Sequence, residues 1–286
     1  MILRQIARSV FTRSASCCAS HRHNGQVLRY RYLFEQMVRR ELRQKYKGSA
    51  LGIVWYLVNP LALMAVYGLM FGVLIKAPGT QVSDYLLFLF LGLIVWIFFS
   101  QSVLAAATSL LDQAALVAKV RFPRETVPAS TVSVQFVTFG ALLGLVLPVA
   151  LAVRGSAGLP LLLLVPILAC LFAFVLGFAL MVAILHAYFR DIQPIIAAAM
   201  LPWFFLTPIF FVPDKLPGVA THPWARTLLE WVNPVAPFIA AFRAVLYGGV
   251  APSGGVLIYI FAAAAIALGL GGALFRRLER ELAVIL

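Results

Sequence analysis

The chain has 286 residues, of which 63% are hydrophobic and 12% are charged, and its formal net charge is +13. Soluble domains usually contain about 45–50% apolar and about 25% charged residues, so the composition excludes an ordinary soluble domain. The excess of positive charge would suit a nucleic-acid-binding protein, but its distribution along the chain has a different explanation, and no nucleic-acid partner is expected.

Six stretches of the sequence contain no Asp, Glu, Lys or Arg, and each exceeds the roughly 20 residues that a helix needs to cross a bilayer. They are Gly48–Ile75, Tyr85–Leu111, Thr126–Val153, Gly155–Phe189, Ile192–Pro213 and Ala244–Phe275. Lipid offers no hydrogen-bond partner to backbone groups, and the runs lack the alternation of barrel strands, so the spans should be helices. The termini and the second and fourth connections hold 18 of the 23 Lys and Arg residues. The positive-inside rule therefore predicts an all-α, multi-pass membrane protein with six transmembrane helices in residues 48–280 and both termini in the cytoplasm.

Residues 1–26 contain four arginines and several serines but no acid, a composition that formally resembles a mitochondrial transit peptide. A disordered tail or a start site assigned too early explains the same composition.

Residues 27–47 show apolar side chains at helical spacing, with basic side chains on the other face. This pattern predicts an amphipathic helix lying along the cytoplasmic leaflet. The helix either anchors and orients the first span or contacts an anionic substrate head group. The candidates for that contact are Arg39, Arg40, Arg43, Lys45 and Lys47.

The segment 105–128, between the second and third spans, is longer than a simple connection needs. It should contain a short helix that ends at Phe122, because the residue before Pro123 disfavours helical geometry. We expect it to present charge and an exposed aromatic ring to the cytosol. Its candidate contact residues are Lys119, Arg121, Phe122, Pro123, Arg124 and Glu125.

The fourth and fifth spans are joined by a very short connection, residues 186–191, so these two helices should be antiparallel neighbours. The external segment 213–246 is rich in proline and holds apolar pieces too short to cross the bilayer. Short re-entrant helices are the expected structure there. The last span is followed by Arg276, Arg277 and Arg280, and residues 281–286 form a cytoplasmic tail.

The sequence offers few residues for catalysis, since it contains only ten acidic residues. It has no paired acids of the D-x-x-D type, no H-E-x-x-H and no P-loop, so no metal site and no ATP site is expected in this chain. The predicted spans also lack the acids and lysines that proton-coupled carriers use as relays. Energy for a pump would have to come from a partner protein.

Aromatic residues make up 13% of the chain and lie within spans as well as at their ends. Tyr56, Trp203 and Phe204 are candidates for stacking on sugars along a transport pathway. Ordinary packing in lipid and at membrane interfaces accounts for such rings equally well.

The run from Arg39 to Pro60, RRELRQKYKGSALGIVWYLVNP, closely resembles the start of ABC-2 type permeases that export lipid-linked polysaccharides. That family includes the O-antigen, capsule and teichoic acid exporters. Further matches follow in order: Lys119–Glu125, Tyr188–Asp191, Thr207–Phe211 with Leu216-Pro217, and Asn233–Pro237 before Arg243. The resemblance covers roughly residues 27–280, and residues 1–26 depart from the family pattern.

The resemblance implies an ABC-2 fold of the type V exporter kind, in a homodimer bound to two copies of a separate ATP-binding cassette ATPase that holds ATP and Mg²⁺. The amphipathic helix and Lys119–Glu125 would dock on the ATPase, with Phe122, Arg124 and Glu125 transferring force. Spans one and five would form a lateral gate, and the helices before span six would close the external mouth. The basic residues of the amphipathic helix would receive the pyrophosphate.

The function that the resemblance implies is export of a polyprenyl-pyrophosphate-linked polysaccharide across the bacterial inner (plasma) membrane, as in lipopolysaccharide or teichoic acid biosynthesis. An exporter of a small lipid or drug with the same type of permease is the main alternative. A membrane glycosyltransferase or phosphotransferase would need clustered acids, and a passive channel would need no ATPase.

Overall fold

The computed structural model describes residues 32–43, 45, 55–74, 84–119, 122–154, 158–216, 219 and 222–279. This part of the chain consists of helices and their connections, with no strand among the described residues, as the charge-free runs predict. Lys47, Arg121 and the predictions for residues 1–26 and 281–286 lie outside the described residues.

The helices in chain order are α1 (residues 32–43), α2 (Trp55–Tyr67), α3 (Tyr85–Asp112), α4 (Ala114–Lys119), α5 (Thr126–Arg154), α6 (Leu164–Tyr188), α7 (Ile192–Leu206), α8 (Pro223–Thr227), α9 (Ala236–Leu246) and α10 (Gly254–Leu278). Helix α2 continues into wider π-helical turns at Gly68–Leu74, and α8 does so at Leu228–Val232. Two 3₁₀ turns, Leu159–Leu163 and Pro213–Lys215, precede α6 and α8.

Four stretches are long and apolar enough to cross a membrane: Tyr85–Asp112, Thr126–Val153, Leu159–Tyr188 and Gly254–Leu278. They correspond to the second, third, fourth and sixth predicted spans. The first and fifth spans appear as the shorter apolar helices Val58–Leu74 and Ile192–Leu206. At 1.5 Å per residue, α7 is about 22 Å long, which is less than the roughly 30 Å of hydrocarbon.

The external segment contains two short helical pieces, Trp224–Val232 and Ala236–Leu246, whose axes are bent by 80° at a short break. Counted together as one broken span, they would make a fifth crossing; a re-entrant pair has the same geometry. The predicted short helices before the last span are therefore present, and their depth in the bilayer stays a prediction.

Helix α3 forms the centre of the molecule. Its most apolar 18-residue window is 83% buried, against 17% for α10. A helix that is hydrophobic on all sides is suited to such a position, and α3 packs against α2, α5, α6, α7 and α9. These five helices therefore surround α3, whereas α10 packs mainly against α6.

Helices α6 and α10 approach each other closely at a pair of glycines. A Cβ atom on Gly177 would overlap the backbone of Ala267 and Leu268, and a Cβ on Gly271 would overlap the backbone of Gly177. Small residues are typical of such crossings, because helices in lipid associate by close van der Waals packing rather than by the hydrophobic effect. This contact fixes the last span against the centre of the molecule.

We predict that Gly271→Leu lowers the free energy of unfolding by about 3 kcal/mol, because the new side chain has no space at the α6–α10 crossing. Thermal unfolding of the purified protein in detergent measures the effect. The matched control is Gly269→Leu on the same helix, since no atom lies within 4 Å of a Cβ at that position. Equal destabilisation by the two substitutions would contradict this account of the crossing.

Candidate functional site

Helix α1 is held to the rest of the molecule by a half-buried acid, Glu41. Its carboxylate accepts hydrogen bonds from Gln113 Nε2 and Thr131 Oγ1, both at 3.1 Å, and from Ser130 Oγ at 3.4 Å. Burial raises the pKa of the Glu41 carboxyl, although these hydrogen bonds and nearby Lys45 oppose the shift. The α1 helix is thus tied both to the α3–α4 junction and to α5.

Glu41 was not among the site residues predicted from the sequence, although its position in the amphipathic helix is unusual for an acid. Glu41 lies four residues after Met37, which is buried, and so falls within the apolar stripe of the amphipathic helix. An acid within such a stripe needs a buried polar partner.

Of the five basic residues predicted to receive a head group, the four that the structure describes do not form one cluster. Arg39 is exposed and pairs with Glu35 one turn earlier, at 2.5 Å, and Arg40 and Arg43 are also exposed. Lys45 is half-buried, and its ammonium donates to Gln135 Oε1 at 2.8 Å. Burial lowers the pKa of Lys45 to about 8, against the opposing charge of Glu41.

A cavity of about 330 Å³ lies between α2, α3 and α5, beside Lys45. Its polar lining includes the carboxamides of Asn59, Gln101 and Gln135, so we call it the amide cavity. Apolar side chains line the rest: Trp55, Pro60, Ile94, Ile97, Phe98, Phe139 and Leu142. Gln101 and Gln135 were not predicted from the sequence, where charged residues were followed, whereas Asn59 belongs to the Arg39–Pro60 run.

The predicted coupling loop, residues 105–128, packs against the molecule more closely than expected. Phe122 is not an exposed aromatic: it is half-buried against a cluster that includes Met37 of α1, Ile184 of α6 and Phe275 of α10. Because this cluster buries apolar surface, the ring gains more from packing than from exposure. The expectation of an exposed ring at this position is therefore wrong.

Arg124 Nη1 donates to the backbone oxygen of Glu279, at the C-terminal end of α10, at 2.6 Å. Close by, Tyr188 Oη donates to the backbone oxygen of Leu278 at 2.8 Å. Both bonds satisfy carbonyls that the end of a helix leaves without an intrahelical partner. The coupling loop, the end of α6 and the end of α10 therefore meet at one place, while the side chain of Lys119 lies outside the described residues.

The aromatic pathway candidates lie in a packed cluster. Phe204 is only 6% exposed, and the Trp203 ring packs against Trp96, Phe99 and Phe178. Phe204 is therefore buried and Trp203 is half-buried, whereas the ring of Phe205 beside them is 46% exposed. The side chain of Tyr56 lies outside the described residues.

Helices α2 and α7 contact each other through aromatic pairs. Tyr67 and Phe204 have ring centroids 5.5 Å apart, and Phe71 stacks on Phe210 at 4.7 Å. Such pairs contribute about 0.5–1.5 kcal/mol beyond their buried area. The two helices predicted to form a gate are thus neighbours within one chain.

Asn233 ties α7 to the external segment. Its Oδ1 atom accepts from Trp203 Nε1 and from the Val235 backbone N–H, both at 3.1 Å. Its Nδ2 atom donates to Thr207 Oγ1 at 2.8 Å. One buried amide therefore connects the end of α7 with the turn that leads into α9.

Arg243 on α9 holds the irregular segment after α7. Its guanidinium donates to the backbone oxygens of Phe88, at 3.1 and 3.2 Å, of Pro208, at 2.6 Å, and of Ile209. The guanidinium carbon also lies 3.4 Å from the centroid of the Phe88 ring. No carboxylate among the described residues contacts Arg243. We call this arrangement the Arg243 clamp.

The clamp brings together sequence motifs that were recognised separately. Thr207–Phe211, the Asn233 turn and Arg243 are distant in sequence, yet all take part in one hydrogen-bonded unit. Tyr85 completes it by donating its hydroxyl to the backbone oxygen of Phe210 at 2.9 Å.

Comparison with known proteins places these features in context. The sequence profile of the ABC-2 type transporter family matches residues 32–247. The chain is similar to the O-antigen export system permease protein RfbA of Myxococcus xanthus, with 29% identity over 258 residues, covering 90% of this chain and 96% of that protein. Two O-antigen export system permease proteins RfbA of Klebsiella pneumoniae are 27% and 26% identical, over 77% and 89% of this chain and 83% and 96% of their own lengths.

We predict that Arg243→Met lowers the free energy of unfolding by about 3 kcal/mol or more, because three buried backbone oxygens lose their donor. Arg226→Met is the matched control, since Arg226 makes only exposed ion pairs with Asp214 and Glu230 and should change stability by less than about 1 kcal/mol. Denaturation in detergent compares the two. If Arg243→Met were as stable as the parent protein, the hydrogen bonds of the Arg243 clamp would not stabilise the fold.

Proposed function

The chain belongs to the ABC-2 type transporter family, and on that premise we propose that it is the membrane subunit of an ATP-driven exporter of polyprenyl-pyrophosphate-linked polysaccharide. The observation that carries the proposal is the similarity to O-antigen export permeases along nearly their whole length. The proposed direction is from the cytoplasm outward across the bacterial inner membrane.

As a permease of this family, the chain is a non-catalytic transport subunit. We propose that two copies associate with two copies of an ATP-binding cassette ATPase, which supplies the sites for ATP and Mg²⁺. Binding and hydrolysis of ATP by the ATPase would alternately open and close a pathway between the two copies of this chain. A pump of this type does not need acids within its own spans.

The proposed topology has six spans with both termini in the cytoplasm. Helix α7 is short, but the irregular Thr207–Phe211 segment follows it and lengthens the crossing. This segment is turned rather than extended, since the Ile209 N–H donates to the Thr207 oxygen at 2.7 Å, so the crossing by the fifth span rests on the length of the charge-free run. The Lys and Arg bias towards the termini and the second and fourth connections supports the orientation.

Force from the ATPase would enter through the coupling loop and α1. Arg124 links this loop to the end of α10, and Gln113, next to α4, links it to Glu41 of α1. A displacement of the loop would therefore reach both the interfacial helix and the last span.

The polysaccharide would pass along the exposed faces of α2 and α7, where the rings of Trp55 and Phe205 are 54% and 46% exposed. The contact between these helices supports the proposed lateral gate, since its opening would separate the Tyr67–Phe204 and Phe71–Phe210 ring pairs. Trp203 and Phe204 would touch a glycan only in a state that exposes them.

An exporter of a small lipid or drug is the second candidate. One observation favours it: an almost wholly apolar groove of about 380 Å³ runs along α6 and α10, beside Phe178 and Ile266. Vesicles with the reconstituted complex distinguish the two, because only the polysaccharide exporter would accumulate lipid-linked glycan in preference to small amphiphiles.

For coupling, we predict that Glu125→Lys reduces glycan export and stimulation of the partner ATPase by about tenfold. Among the described residues the Glu125 side chain makes no hydrogen bond or ion pair, so the substitution changes charge without breaking a known contact. A loss of about 1.4 kcal/mol at the interface corresponds to that factor. Export by cells and ATP hydrolysis by the purified complex are the measurements.

The control for this variant is Asp191→Lys, which makes the same charge change at the exposed turn between α6 and α7. It should retain export. If both variants exported normally while the complex remained intact, Lys119–Glu125 would not be the docking site.

For the pathway, we predict that Phe205→Leu slows glycan export several-fold and leaves the stability of the protein within about 1 kcal/mol of the parent. The adjacent Phe204→Leu should lower the free energy of unfolding by about 1–2 kcal/mol, because Phe204 is buried among other rings. Export assays and detergent denaturation separate these effects. Normal export by Phe205→Leu would remove this ring from the pathway.

A further inference from the structure

Three uncharged amides face one cavity within the apolar helices. The amide cavity takes Asn59 from α2, Gln101 from α3 and Gln135 from α5. Gln101 lies 11 residues before the end of α3, and Gln135 lies nine residues after the start of α5. At 1.5 Å per residue, both amides are about 14–17 Å from the helix ends that the charge pattern predicts to be cytoplasmic. These amides therefore lie at a depth where polar side chains are costly.

The amides keep donors and acceptors that the described part of the chain does not use. Neither Asn59 nor Gln101 makes a side-chain hydrogen bond among the described residues, and both are exposed at the cavity. Gln135 accepts one bond from Lys45 through its Oε1 atom, and that bond leaves its NH₂ group available. Because lipid offers no hydrogen bonds, a polar ligand or water must occupy this part of the cavity.

An amide side chain favours ligands that both donate and accept hydrogen bonds. Its carbonyl oxygen is an acceptor and its NH₂ group is a donor. An ionised phosphate only accepts and would leave the amide oxygens unpaired, whereas a hydroxyl group does both. A ligand with several neighbouring hydroxyl groups therefore satisfies the three amides best.

The charge at the cavity is already compensated within the protein. Lys45 is the one charged side chain among the described residues of the lining, and its ammonium donates to Gln135 at 2.8 Å. The carboxylate of Glu41 lies near enough to interact with the same ammonium. A neutral ligand therefore fits this cavity better than an anionic one.

Aromatic rings form the other part of the cavity wall. Trp55 precedes Asn59 by four residues, so both lie on the same face of α2, and Trp55 is 54% exposed. Phe98 of α3 and Phe139 of α5 also line the cavity. A sugar ring combines apolar C–H faces with hydroxyl groups at its edge, which matches rings placed beside amides. The volume of about 330 Å³ is at the small end of the range of about 300–1,000 Å³ for ligand pockets.

We propose that the amide cavity binds a sugar ring of the exported glycan, with Asn59, Gln101 and Gln135 binding its hydroxyl groups and Trp55 stacking on its face. This inference rests on the proposed export of polysaccharide and adds to it a binding site made of uncharged groups. Hydrogen bonds between neutral groups are weaker than charge-assisted ones. Such a site holds each ring briefly and releases it as the glycan advances.

The test compares two lipids on the full chain in lipid nanodiscs, because glycoside detergents have sugar head groups of their own. One lipid is polyprenyl pyrophosphate, and the other is the same lipid carrying a tetrasaccharide, prepared separately from mannose, rhamnose and galactose. Native mass spectrometry measures the affinities, and their ratio separates the contribution of the sugars from that of the pyrophosphate and tail. We expect at least one tetrasaccharide form to bind about tenfold more tightly than the sugar-free lipid, equivalent to about 1.4 kcal/mol.

Gln101→Leu and Asn59→Leu should each lower this ratio about threefold or more, because each removes partners for hydroxyl groups without breaking a hydrogen bond of the described chain. Trp55→Leu should lower it as well, and Trp55→Phe, which keeps an aromatic ring, should restore most of it. The matched control is Gln193→Leu, the same exchange at the start of α7 and outside the cavity lining. Its ratio should stay within about twofold of the parent.

Three results would overturn the proposal. The first is a sugar-free lipid that binds as tightly as all three tetrasaccharide forms. The second is an unchanged ratio in both Gln101→Leu and Asn59→Leu, and the third is an equal loss in Gln193→Leu. The proposed export is tested separately by the vesicle assay. If vesicles export glycan while both amide variants keep the full ratio, the cavity is not a sugar site and the proposed function remains.

Discussion

The end of the molecule formed by α9 and the segment after α7, which we propose faces outward, depends on the guanidinium of Arg243 and the backbone oxygens it binds. Among apolar helices an irregular segment is stable only where protein groups satisfy its backbone, and Thr207–Phe211 is an irregular segment of this kind. Arg243 donates to Pro208 and Ile209, and Tyr85 donates to Phe210. A planar guanidinium with five donors serves several oxygens at once, which a lysine ammonium does less well. Through the Phe88 oxygen the same group fixes α9 to the central helix α3.

The opposite end of the molecule, where α1, the coupling loop and the end of α10 meet, is connected differently. There, Glu41, Arg124 and Tyr188 each join separate elements through side-chain hydrogen bonds at partly exposed positions. Hydrogen bonds that involve a charged group, as those of Glu41 and Arg124 do, contribute about 1.5–3 kcal/mol each.

The helices were predictable because a charge within a span is costly and its absence marks the span. The burial of each helix was not predictable, because lipid and the protein interior are both apolar. Helices α3 and α10 are similarly apolar, yet α3 is mostly buried and α10 mostly exposed. For the same reason the composition does not show whether Trp203 and Phe204 line a pathway or pack inside the protein, and in this structure both rings pack in the aromatic cluster. Arg243 was counted as an external positive charge when the topology was predicted from the sequence, yet its guanidinium binds backbone oxygens of the protein.

Hydrogen-bond satisfaction, rather than charge, separates structural from functional polar groups in this chain. Arg243 is a half-buried cation, for which an anion-binding role is the natural first guess, but backbone oxygens already occupy its donors. Asn59 and Gln101 are uncharged and inconspicuous in the sequence, yet they face a cavity without partners among the described residues. Because lipid cannot satisfy an amide, an exposed amide within a span is itself evidence for water or a ligand. The polar groups that remain to be paired are therefore the better guide to where this permease receives a molecule.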